Sequence, residues 1–262
     1  LVVATNAVAV SPLTGAPMAW CAQTGDNTDN RTAGEVAWWL GVLAGDEVTP
    51  NSGAPGTYEG VQRSGWRGAW HPDDPSHDIY GRAGFPCLPG FLDAAVRPFR
   101  AAGLDVPWVA VFGNHDVLYQ GTFGERVTHL GDLLASASAK PRGALGLVRS
   151  NVHARLAGTT ADRWEGWGSG PGIQHVTPDP ESRRSVPLDE FLQKLVDAGD
   201  HGFTQAHVDQ HVSWWSRPDG DSVQVIGLDT CSHSQGSDGS LGPRQTAWLE
   251  QELQRHHRRY RN

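Results

Sequence analysis

Two short polar stretches hold the residue types that do chemistry. Gly25-Asp26-Asn27-Thr28-Asp29 sets two carboxylates close behind a glycine, and Gly113-Asn114-His115-Asp116 sets an amide, an imidazole and a carboxylate in a row. Asp26 offers two anionic oxygens, enough to bridge two cations. Asn114 offers a neutral carbonyl oxygen to a hard or borderline cation. His115 can bind a metal or act as a proton donor near neutral pH. Asp116 can accept from the imidazole N–H and hold the ring, as carboxylates behind such imidazoles do. This inventory suits metal-assisted hydrolysis, in which an activated water attacks phosphorus and the imidazole protonates the leaving oxygen. Plainer readings exist: an Asp-rich turn capping a helix, a hydrogen-bonded strand terminus, a cap at Asp116. The two stretches occurring together favour the chemical reading.

Strands and helices must bring these stretches together. Apolar runs from Pro17 to Gln23, Trp108 to Phe112 and Val223 to Leu228 read as buried strands, each ending in a polar turn. "LVVATNAVAV" at the start is also strand-like. Helical patterns lie between them. "TAGEVAWWLGVLAG" opens with Thr32 and Glu35 at capping-box spacing. "LPGFLDAAVRPFRAAG", "SVPLDEFLQKLVDAG" and "FTQAHVDQHVSWW" follow. "PRQTAWLEQELQRHH" carries Trp248, Leu249 and Leu253 on one side. Alternation of strand and helix predicts an α/β architecture, with ligands gathering beyond the carboxyl ends of the strands. A glycine before each polar group lets the backbone turn sharply and approach a ligand. Two irregular stretches rich in Gly, Pro and Trp, at about 46–89 and 142–187, read as insertions decorating one face.

Composition narrows the classes. The 262 residues carry a formal charge of −8, which argues against a nucleic-acid backbone as partner. The basic terminal run "RHHRRYRN" reads as a solvated helix end. No apolar run approaches the length of a membrane span. Cys21, Cys87 and Cys231 have no CxxC spacing, so the common zinc and redox signatures are absent. Cys21 reads as a buried thiol, and a Cys87–Cys231 bridge stays open if the protein is exported.

Gly25 to Asp29 followed by Gly113 to Asp116, each after an apolar strand, resembles the calcineurin-like metallophosphoesterase family. "VIGLDT" and "QTAWLEQEL" are similar to that family's later strand and helix, in the expected order. "SPLTGAPMAW", "YEGVQ" and "GNHDVLYQG" resemble a bacterial subgroup with large insertions. The resemblance implies a sandwich of two mixed β-sheets flanked by helices. It implies hydrolysis of phosphate monoesters or diesters at a centre of two divalent metals, Mn, Fe or Zn. Asp26 would bridge the metals and Asn114 would bind the second. His115 would stand beside the scissile phosphate as acid, Asp116 would orient it, and Asp29 would brace the Asp26 loop. The partner would be a small phosphate ester whose identity the sequence does not encode. Relatives in the subgroup often carry export leaders, so the compartment stays open.

The chain departs from the family pattern at two points. It shows no Asp-x-His ahead of Asp26 and no Gly-His-x-His near its end, and it reads as a domain incomplete at both termini. A catalytically inactive binding protein of the same fold is the alternative. Asp209-Gln210-His211 spells Asp-x-His in the wrong order and in a helical pattern. His256-His257 continues a helix with no strand between. His207 and His211 read as a solvated helix face rather than a zinc pair. "HPDDPSHD", His71 to Asp78, reads as a loop near the site mouth, Asp229 as structural, and the pairs Trp38-Trp39 and Trp214-Trp215 as core.

Overall fold

The computed structural model describes residues 1–8, 10–117, 135, 139–141, 173–231 and 239–257. Helices and small sheets mix along the chain, as an α/β reading requires. The chain divides into two compact units. The first comprises residues 1–46, 100–128 and 185–262, and the second 47–99 and 129–184. The two stretches expected to be surface decorations thus gather into a unit of their own. Much of the later one, residues 142–172, lies outside the described residues.

In the first unit the elements run α1 (Val2–Ala7), β1 (Cys21–Gln23), α2 (Ala33–Ala44), β2 (Trp108–Ala110), α3 (Leu188–Ala198), α4 (Gln205–Gln210), β3 (Trp215–Asp219), β4 (Val223–Gly227) and α5 (Pro243–His256). Strands β1 and β2 pair in parallel, Cys21 opposite Trp108 and Gln23 opposite Ala110. The ladder continues past them, with Val111 N donating to Gln23 O at 2.9 Å. Parallel pairing puts both carboxyl ends on one edge, and that edge is where the two polar stretches emerge. Strands β3 and β4 form an antiparallel hairpin, Trp215 opposite Gly227.

All three residues of β2 are buried, which is why it reads as an unbroken apolar run. Helix α2 begins where the sequence places it. Thr32 Oγ1 accepts from Glu35 N, and Glu35 Oε2 accepts from Thr32 N at 2.9 Å, completing the capping box. Trp39 of α2 stacks on Phe191 of α3 (centroids 5.9 Å apart, planes 9° apart) and meets Trp108 edge-on at 5.7 Å. Phe191, Leu192 and Leu195 are almost fully buried, each worth roughly 1.5–3 kcal/mol of transfer free energy.

Four sequence expectations are corrected here. "LVVATNAVAV" holds the short helix α1 rather than a strand, because a brief apolar run does not reveal its period. The first strand is only Cys21–Gln23. Pro17 makes an isolated bridge to Val10, since a residue without N–H cannot sustain a ladder. The helix expected from Leu88 is only Phe91–Ala95, stopped ahead of Pro98, whose predecessor is steered out of helical geometry. The helix through His211 ends at Gln210, with His211 left-handed at φ 51°, and Trp215 opens a strand instead. Its indole lies where side chains on Gly202 and Gly227 would have to go: a Cβ on either glycine would fall 2.7 Å from Nε1. That packing is tertiary and leaves no local mark.

The second unit is built from short pieces: helices Ile79–Arg82, Phe91–Ala95 and Pro180–Arg183, and an antiparallel pair, Ala139–Pro141 with Ile173–His175. Its buried apolar side chains include Val48, Ala69, Leu92 and Val176. Polar bonds hold much of the rest. Glu59 accepts from Thr177 N and Thr177 Oγ1 at 3.0 and 2.7 Å, and Arg183 Nη2 stands 3.7 Å from it. Asp78, fully buried, accepts from His71 N and Gly81 N at 2.6 and 2.7 Å. The stretch His71 to Asp78 is therefore an internal fastening of this unit. The three cysteines are free thiols; Cys21 is half-buried and Cys87 exposed.

Candidate active site

The site is built on the touching ends of β1 and β2. Gly25, with φ 101°, and Gly113 pack backbone to backbone. A Cβ on Gly25 would come within 2.8 Å of Gly113 Cα, and one on Gly113 would strike Asp26 N and Oδ1. The glycines expected to admit a ligand therefore admit each other's loop. Asp26 is left-handed at φ 51°, a conformation that Asp tolerates better than most residues. Its carboxylate is exposed, and Oδ1 accepts from His115 N at 3.1 Å.

Asp116 locks the two loops from below. It is fully buried, and five donors converge on it. Thr28 N and Thr28 Oγ1 reach Oδ1 at 2.8 and 2.9 Å. Gly113 N, Asn27 Nδ2 and Asn27 N reach Oδ2 at 2.9, 2.9 and 3.3 Å. Burial raises its carboxyl above the usual range although those hydrogen bonds oppose the shift. None of the five donors is the imidazole. The orienting role expected of Asp116 is thus filled otherwise, because its buried side chain is consumed in joining the loops.

Asp29 does what Asp116 was expected to do. His115 Nδ1 lies 3.0 Å from Asp29 Oδ1. An ionised carboxylate can only accept, so Nδ1 carries the hydrogen and Nε2 is the ring's free edge. Asn30 Nδ2 holds the other Asp29 oxygen at 3.0 Å, and Asn30 N in turn donates to Glu35 of the α2 capping box at 3.1 Å. A helix start thereby fixes the residue that fixes the imidazole. The pair is partly open to water, with 34% of the His115 side chain and 57% of Asp29 exposed, so its contribution is orientation more than stability.

A third strand end converges here, whose aspartate the sequence reading took as structural. Asp229, just beyond β4, is buried. It accepts from Ser213 Oγ and from Cys231 N, and Gln245 of α5 bonds both its backbone N–H and its carbonyl. Its structural reading therefore holds. Burial, then the charge of Asp229, and then those of Asp116 and Asp26 push the Cys231 thiol far above its ordinary range. A thiol so placed stays protonated and is a poor nucleophile. The signal available in the sequence was that "GLDTC" ends a strand on an aspartate, as the stretch around Asp26 does. Buried Arg31, its guanidinium 5.4 Å from the Phe112 ring centroid, and the donors Asn27 and Thr28 were also missed; only their place beside Asp26 pointed to them.

The residues set aside by their order stay apart from Asp26 in their bonding. Asp209 Oδ1 accepts from Gln205, His256 Nε2 faces Glu252 at 3.3 Å, and His257 Nδ1 lies 2.9 Å from Gln254 O. His207 is tied to Thr204, and burial lowers its pKa below the usual 6.5. Among the described residues no group of three or more His, Cys, Asp or Glu side chains gathers in a way that would hold a metal. What the edge does offer is the Asp26 carboxylate, the half-buried Asn114 amide and the buried Asn27 Oδ1, an acceptor with no hydrogen-bond donor. These oxygens fit the hard side of a divalent-cation donor set, and they supply part of one. No family model, curated protein or solved structure matches the chain.

Proposed function

We propose that this chain is a metal-dependent phosphoesterase of the calcineurin-like type, hydrolysing small phosphate monoesters or diesters. One observation carries the reading: parallel strands deliver Asp26, Asn114 and an oriented His115 to a single sheet edge. Under this proposal the two-stranded pairs belong to the two mixed sheets of that fold. Asp26 and Asn114 would hold divalent metal, which when bound supplies Lewis acidity toward phosphate and water. The chain's own groups do the rest. Asp29 fixes the ring through Nδ1–H and leaves Nε2 to the site, where the doubly protonated imidazolium can hand its Nε2 proton to a leaving alkoxide and return to the neutral ring. Asp116 keeps the Asp26 and His115 loops in register, so donor oxygens and imidazole keep one geometry. The Cys231 thiol, kept protonated, takes no nucleophilic part.

Hydrolysis of a chromogenic phosphodiester with added manganese tests the reading. His115→Ala is expected to lower turnover about 10²- to 10⁴-fold while metal content, read by elemental analysis, stays unchanged. Asn114→Ala should lower metal content first and activity with it. Equal metal loss in both variants would sink the division of roles. Activity absent from the unaltered chain, or indifferent to His115→Ala, would favour an inactive protein that keeps the fold for binding.

A further inference from the structure

The first unit also holds a cavity of about 620 Å³ among α4, β3, β4 and α5 that the site above does not use. Its size lies within the range of small-ligand sites, roughly 300–1,000 Å³. It shares no residue with the strand-end site. Trp214 and Trp248 form an aromatic corner, ring centroids 6.3 Å apart and planes tilted by 53°. Trp214 is not core, unlike its neighbour Trp215, because successive residues of extended chain point to opposite sides.

The polar groups around that corner are spread by type. Arg244 lies over the Trp214 ring, its Cζ 5.8 Å from the centroid, and donates to Gln210 O at 3.1 Å. Those two contacts fix the guanidinium, and among the described residues it has no carboxylate partner. Arg255 pairs with buried Glu252 at 2.5 Å, and His256 Nε2 lies 3.3 Å from the same carboxylate. His207 accepts from Thr204 N through Nδ1 at 2.9 Å, which leaves its Nε2–H as a donor in the wall. Gln224 spends its amide N–H on Ser216 Oγ, while its Oε1 is buried without a donor. A buried acceptor left so costs about 1–3 kcal/mol, a deficit that a ligand N–H would remove.

We propose that this cavity binds a flat heteroaromatic molecule bearing an anionic group and a ring N–H or amino donor. The ring lies in the Trp214–Trp248 corner, the anion meets Arg244, and the donor meets Gln224 Oε1. Nucleoside monophosphates combine all three features, and one of them is small enough for the space. The inference is independent of the phosphoesterase reading, since binding at the cavity uses neither His115 nor Asp26.

The test is calorimetric titration of the chain with adenosine 5′-monophosphate, backed by tryptophan fluorescence and run without divalent metal. Saturable binding with one ligand per chain is expected, unchanged in His115→Ala. Adenosine, which lacks the anion, and inorganic phosphate, which lacks the ring, should each bind at least about tenfold more weakly. Arg244→Gln, at an exposed position, should weaken the nucleotide by about tenfold and leave the fold intact by circular dichroism. Trp248→Leu should reduce both affinity and quenching. The proposal is overturned if neither adenosine monophosphate, guanosine monophosphate nor cytidine monophosphate binds below the order of 1 mM. It is equally overturned if phosphate alone binds as well as the nucleotide, or if Arg244→Gln has no effect.

Discussion

The two compact units solve the same problem by opposite means. In the first, aromatic and aliphatic side chains from α2, β2 and α3 close over one another, and Trp39, Trp108, Phe112 and Phe191 make a chain of ring contacts. In the second, elements of a few residues are fastened by carboxylates that collect backbone N–H groups, Glu59 and Asp78 above all. Apolar burial needs long amphipathic elements but is indifferent to pH. Carboxylate fastening suits short irregular chain and depends on ionisation. The candidate chemistry sits on the apolar unit, where even the polar lock at Asp116 is shielded from water.

The sharpest way to break this comparison is to open the apolar core. Phe191→Ala is expected to cost about 3–5 kcal/mol, read by denaturant unfolding and by lost amide-exchange protection at Val109 and Leu192. Equal loss of protection across residues 47–99 would erase the distinction between the units.

A smaller effect should come from the polar lock. Asp116→Ala strands five donors that now share one carboxylate and is expected to cost roughly 2–4 kcal/mol. By contrast, Asp29→Ala should leave stability nearly unchanged and lower only activity, because that carboxylate is largely exposed. If the two variants lose stability alike, the separation of lock from orienter is wrong.

The smallest effect should distinguish the second unit. Burial alone would raise the Glu59 carboxyl. Hydrogen bonds from Thr177 and Ala54, with the Arg183 charge, outweigh burial and hold it below its ordinary 4.5. A depressed folded pKa means that the stabilisation is complete above pH 4.5 and fades as pH falls through the folded value. Proteolytic cleavage within residues 47–99 should therefore rise on acidification through that window. Glu59→Gln should remove the pH dependence; an unaltered acid response would assign it to another carboxylate.

Much of this molecule was legible before its structure. The capping box at Thr32 and Glu35 marked the start of α2, since both partners lie within one turn. The run from Trp108 marked a buried strand, and the residue types of Asp26, Asn114 and His115 marked the chemistry they could do. Local signals of this kind are carried by neighbours in the chain. The gathering of the two irregular stretches into one unit, the strand at Trp215 and the cavity beside Trp214 were not legible. Each depends on residues far apart in sequence: Trp215 fills space left by Gly202 and Gly227, and its Nε1 donates to Ala110 O at 2.8 Å.

The division is plainest at the site itself. The sequence alone determined that three aspartates and an imidazole would follow two strand ends. Only the tertiary structure decided which aspartate holds the ring. Asp116 is adjacent to His115 in the chain, yet the close approach of Gly25 and Gly113 brings five donors from both loops onto its carboxylate. Asp29, distant in sequence and exposed, is the one that reaches Nδ1.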